Sequence, residues 1–165
     1  APHLSGGHYT LEADVDVPAQ DGEGVIFADG GLNGGVTLFA QNHHLVYQAN
    51  SNGYTVGKIR SNSPLNAGKH HIVVSVEPAN TATSGAPTPH AKNLGWLTSH
   101  KPIPGNVTIT LDGKASNTVH FANVAVQTSE TLDIGQDLGS AVSTDYTAPA
   151  AFSGTVEKLV VTDLQ

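Results

Sequence analysis

Cysteine and methionine are both absent from this 165-residue chain, tryptophan occurs once, and only 13% of the residues are charged. Without cysteine there is no disulfide, thiolate zinc site, iron–sulfur cluster or cysteine nucleophile. The fold must therefore hold by packing, and a chain of this length can bury roughly 68–70% of its unfolded surface without staples. Basic residues are also scarce, seven against 14 acidic ones for a net charge of −7. That leaves no basic stripe for nucleic acid or an anionic membrane, so the partner is expected to be neutral or cationic. Long apolar runs are missing too. Stretches such as Ile72-Val73-Val74 fall far short of the ~20 residues of a membrane span, and no charged segment followed by an apolar one opens the chain. The lack of methionine leaves two expectations open: an initiator removed before Ala1, or a piece of a longer chain.

What is present is alternation. Tyr9, Leu11, Ala13, Val15 and Val17 alternate with Thr10, Glu12, Asp14 and Asp16, which puts one set on each face of a half-buried strand. Short runs of the same kind follow at residues 25–28, 36–40, 44–49, 54–60, 70–77, 107–111, 119–126, 131–135 and 155–162. No window keeps a helical apolar stripe for three turns. Asp112-Gly113 between two such runs signals a hairpin, because a type I′ turn needs positive φ at both central residues; Gln41-Asn42-His43 is a second, weaker signal. About ten strands without a helix predict an all-β chain, a two-sheet antiparallel β-sandwich of jelly-roll type, since an open sheet would leave one apolar face wet. Residues 1–165 are expected to form one β-sandwich domain. Its one long irregular piece is residues 78–105, with five of the nine prolines and Trp96; a loop of that length in a compact domain is usually functional or disordered.

Several blocks carry a family resemblance. They are Gly24-Val25-Ile26, Gly30-Gly31, Gly34-Gly35-Val36, and above all residues 133–158, with Asp133-Ile134-Gly135-Gln136-Asp137-Leu138-Gly139-Ser140 and Phe152-Ser153-Gly154-Thr155-Val156-Glu157-Lys158. Together they resemble the C-terminal β-sandwich domain of bacterial arylsulfatases, similar in fold to concanavalin-A-like lectins and glucanases. The resemblance implies a non-catalytic accessory domain, periplasmic or secreted, packing against a catalytic sulfatase domain in the same chain or complex. The catalytic Cys/Ser-x-Pro-x-Arg segment of sulfatases is absent here: Ser63-Pro64 and Thr88-Pro89 are wrongly spaced and no arginine follows. This chain is therefore not expected to be an enzyme itself. A lectin-like carbohydrate-binding module is the alternative, and a glucanase-like glycosidase the third reading.

Four constellations bear on these readings. Glu12, Asp14 and Asp16 share one strand face about 6.5–7 Å apart, a carboxylate ladder like that of sandwich glucanases, or else simply a solvated face. Asp133, Asp137 and Asp145 lie in a glycine-containing stretch that could hold calcium, which takes oxygen ligands from flexible loops; aspartates serve turns equally well. The nine histidines include the adjacent pairs His43-His44 and His70-His71, whose members point to opposite strand faces and cannot chelate from one side. Trp96 either anchors its loop or stacks on a sugar, with Asn93, Asn50, Asn52 and Tyr54 as amide and hydroxyl partners. A neutral sugar is preferred, because a sulfated one needs a cationic subsite.

Overall fold

A computed structural model of the chain describes residues 4–19, 22–79 and 101–164. Trp96 and Asn93 lie outside the described residues, as does most of the expected long loop. After a short 3₁₀ turn (Leu4–Gly6), thirteen strands follow: β1 (Tyr9–Val17), β2 (Gly24–Gly31), β3 (Gly34–Gln41), β4 (His44–Ser51), β5 (Tyr54–Arg60), β6 (Gly68–Pro78), β7 (Gly105–Leu111), β8 (Lys114–Ala115), β9 (Val119–Phe121), β10 (Leu132–Ile134), β11 (Gln136–Asp137), β12 (Ala150–Ala151) and β13 (Thr155–Asp163). One sheet has the order β13-β1-β6-β7-β8, with β9 also paired to β7, and the other the order β10-β2-β3-β4-β5; β11 and β12 form a small ribbon. Every pairing is antiparallel. The chain is an all-β sandwich, as the alternation predicts. No helix among the described residues is long and apolar enough to cross a membrane.

Strand β1 alternates as expected: its five apolar residues are buried and the four polar ones half-buried. Its buried set joins Leu38, Tyr47, Ile72, Ile109 and Phe121 in the core between the sheets. At the centre of that core the hydroxyls of Tyr9 and Tyr47 hydrogen-bond each other. Burial pushes both phenols far above the ordinary tyrosine value.

Strands β2 to β4 depart from alternation, with nearly every residue buried. The cause is a covering strap, residues 136–151, on the outer face of the second sheet. Val142 of the strap packs with Val25, Ala28, Phe39 and Val46 in a second apolar cluster, and Tyr146 meets Phe39 edge-on at 5.2 Å. Of the polar side chains under the strap, Ser143 donates to Gln48 Oε1 at 2.8 Å and Tyr146 to Asp137 at 2.6 Å, whereas the buried Asn50 Oδ1 has no partner among the described residues.

Three two-residue turns join strands with positive φ at both central positions: Asn42-His43, Asn52-Gly53 and Asp112-Gly113. That conformation matches strand twist and favours Asn, Asp and Gly. The expected strand over residues 119–126 is corrected. It ends at Phe121, because the Asn123 Oδ1 accepts the amides of Ala125 and Ile103 and bends the chain out of the ladder.

Candidate functional site

The turns that close one end of the sandwich enclose a cleft of about 390 Å³. Its walls are the Leu32-Asn33 turn between β2 and β3, the Asn52-Gly53 turn between β4 and β5, the approach to β7 from Lys101 to Ile103, and the stretch after β9 that ends at Ser129. The two turns are tied by the Asn52 amide donating to the Asn33 carbonyl at 2.8 Å. Glycines bring the fourth wall close. A Cβ on Gly34 would stand 2.3 Å from the Gln127 carbonyl oxygen, and the Gly34 carbonyl instead accepts both the amide and the hydroxyl of Ser129. The chemistry of the lining is amide and hydroxyl. Asn33, Asn52 and Gln127 are exposed around Ser51, Thr128 and Ser129. Among the described residues, Lys101 is the one charged residue in the lining, and no carboxylate belongs to it. Behind Thr128, the Asp29 carboxyl is 7% exposed. Burial raises its pKa against the lowering hydrogen bond from Thr128.

Of the ligand-binding residues expected from sequence, Asn52 lines this cleft. Tyr54 lies two residues further on at the start of β5, 76% exposed and outside the lining. Trp96 and Asn93 remain outside the described residues, but Ala79 and Lys101, which flank that segment, both stand at this end of the fold, where the Ala79 amide meets the Pro104 carbonyl. Asn50 is not a solvent-facing amide: it is 3% exposed beneath the strap and donates to the Val142 carbonyl. Asn33, Gln127 and Lys101 were not marked by the sequence reading. The signal that points to Asn33 is an amide in a tight turn between two glycine pairs; Gln127 and Lys101 carry none.

The three aspartates proposed for calcium do not converge. Asp133 accepts the Leu138 amide at 2.9 Å, Asp137 the Tyr146 hydroxyl, and Asp145 is paired with Lys58. Among the described residues no group of three His, Asp or Glu side chains is arranged to hold a metal ion. The three carboxylates fasten loops.

The Glu12–Asp16 face of the first sheet is bridged rather than open. His71, on the neighbouring strand β6, places Nδ1 2.6 Å from Asp14 and Nε2 3.5 Å from Glu12. His70 turns the other way, onto Asp112 and the Asn66 carbonyl, as the opposite-face rule predicts. The hydrogen bond to Asp14 is the largest cause raising the His71 pKa, reinforced by the charges of Asp14 and Glu12. A raised folded value means that this contribution to stability is complete below the ordinary imidazole pKa and is lost as the pH rises through the folded one. An NMR titration is expected to find the His71 midpoint above the ordinary value of about 6.5, and back near it in Asp14→Asn. An unshifted midpoint in the wild type would contradict the bridge.

The described residues form a two-sheet antiparallel β-sandwich of jelly-roll type with a polar cleft at one end. No family model matches the chain, and no curated protein does. Among solved structures it is similar to the mouse laminin alpha1 chain, domains LG4-5, with a TM-score of 0.60 and 13% sequence identity. The match covers 94% of this chain and 36% of the laminin chain, so the chain spans about a third of that structure.

Proposed function

We propose that this chain is a non-catalytic, lectin-like module that binds a neutral saccharide in the end cleft. The observation that carries the reading is the lining: exposed amides on two turns tied to each other, hydroxyls between them and, among the described residues, one cation and no carboxylate. Amides donate and accept at once and match the paired donor and acceptor character of sugar hydroxyls. A polyanion would meet a chain of net charge −7, which opposes its approach. Isothermal titration against neutral oligosaccharides selected on a glycan array is expected to show binding that weakens about tenfold in Asn33→Ala or Gln127→Ala, the loss of roughly one to two hydrogen bonds. Unchanged affinity in both variants would place the ligand elsewhere.

A second reading has one observation in its favour. Leu132, Ile134, Leu159, Val160 and Val161 line an apolar groove of about 400 Å³ between edge strands β10 and β13, at the block that resembles the arylsulfatase companion domain. In this reading the groove packs against a catalytic sulfatase domain of a periplasmic or secreted parent. A reading frame with no Cys/Ser-x-Pro-x-Arg segment upstream of Ala1 would sink it.

A further inference from the structure

The Leu32-Asn33 turn has two sides. Asn33 lines the end cleft, and Leu32 lines a second groove of about 370 Å³ on the strap, with Ser140, Thr144, Tyr146 and Thr147. The second groove is more apolar: Ser140 and Tyr146 direct their hydroxyls to Glu130 and Asp137, Thr144 and Thr147 supply the others at its edge, and Leu32 is 44% exposed on the ridge between the two. Each hollow alone is near the lower end of the roughly 300–1,000 Å³ of ligand sites.

The ridge is built to hold its position. The Leu32 amide donates to Ser140 Oγ at 2.9 Å, so the turn is fastened directly to the strap. Glu130, the residue after cleft-lining Ser129, accepts the Ser140 amide at 2.9 Å and its hydroxyl as well. Gly31 and Gly139 make room for that carboxylate: a Cβ on Gly31 would stand 2.3 Å, and one on Gly139 1.8 Å, from its oxygens. One side chain thus locks the wall of the end cleft to the wall of the strap groove. A fixed ridge between a polar cleft and a more apolar hollow edged by Thr144 and Thr147 suits a ligand that carries both hydroxyls and apolar faces in every repeating unit.

Resting on the saccharide reading of the end cleft, the geometry points to a linear oligosaccharide as the ligand, crossing the Leu32-Asn33 ridge so that successive sugar units occupy both hollows. Leu32 then meets the apolar face of the unit on the ridge, while the strap hydroxyls of Thr144 and Thr147 meet the units beyond. Glu130 is a positioning residue, acting through Ser140 and not through the sugar.

The test is a length series of neutral gluco- and xylo-oligosaccharides of one to six units, titrated by calorimetry into the whole chain. Affinity is expected to rise at least tenfold between two and four units and then level off. Leu32→Asp and Thr144→Glu are expected to bring the four-unit affinity down to that of the two-unit sugar while leaving the two-unit affinity unchanged. Amide NMR shifts in the wild type, which need no variant to fold, are expected at Asn33, Asn52 and residues 127–129 with one or two units and to spread to Leu32 and residues 140–147 with four. Affinity equal within twofold across the series, or shifts that never reach the strap, overturns the crossing while leaving the single-cleft reading intact. No binding by any member of the series, together with no binding to any neutral sugar of a glycan array, overturns both.

Discussion

Replacing Phe121 by alanine is expected to lower the unfolding free energy by about 4 kcal/mol, within the range for buried aromatics cut to alanine. The ring is 1% exposed in the main core and stacks on Tyr47 with centroids 6.0 Å apart. It also joins the sheets along one flank, since β9 belongs to the first sheet while its ring lies over Gly57 of β5 in the second. A Cβ on Gly57 would stand 2.0 Å from the Phe121 ring, so Gly57→Ala is expected to cost about 1–3 kcal/mol by overpacking. The two losses should not add, because the alanine methyl fills part of the space left by the ring. Urea unfolding of both single variants and the double variant measures this. Additive losses would show that ring and glycine do not share one space.

The second large effect falls on the site. Gly34→Ala is expected to reduce saccharide affinity by tenfold or more with only a moderate loss of stability, about 1–3 kcal/mol for a forced shift in a close-packed place. The new methyl meets the Gln127 carbonyl, a backbone atom that yields only if the stretch carrying Gln127, Thr128 and Ser129 moves off the turn. That stretch is one wall of the cleft. Calorimetry beside thermal unfolding separates the two quantities: undiminished affinity in a folded Gly34→Ala variant would show that the 127–129 wall takes no part in binding.

Period two made most strands legible, because one buried face imposes alternation wherever the other meets solvent, as in β1. In β2 to β4 it found the strands but not their burial. There both faces are buried, and the covering strap comes from more than eighty residues further along the chain. Hairpins at Asp112-Gly113 and Asn42-His43 could be read because left-handed φ selects residue types locally. The early end of β9 could not, since it depends on the Asn123 side chain finding Ile103 across space. The same limit applies to the site. Asn52 was within reach as an amide in a turn, whereas Gln127 owes its place to the close approach that Gly34 permits, and Lys101 stands two residues before Ile103, which Asn123 and Val124 hold across space. Asp133, Asp137 and Asp145 lie close along the chain, and the fold gives them separate partners in Leu138, Tyr146 and Lys58.

The account stands most directly on an amide NMR titration of the whole chain with its tightest neutral oligosaccharide from a glycan array. It predicts saturable shifts centred on Asn33, Asn52 and residues 127–129. No shifts with any array sugar, or shifts confined to the Glu12, Asp14 and His71 face, would contradict it.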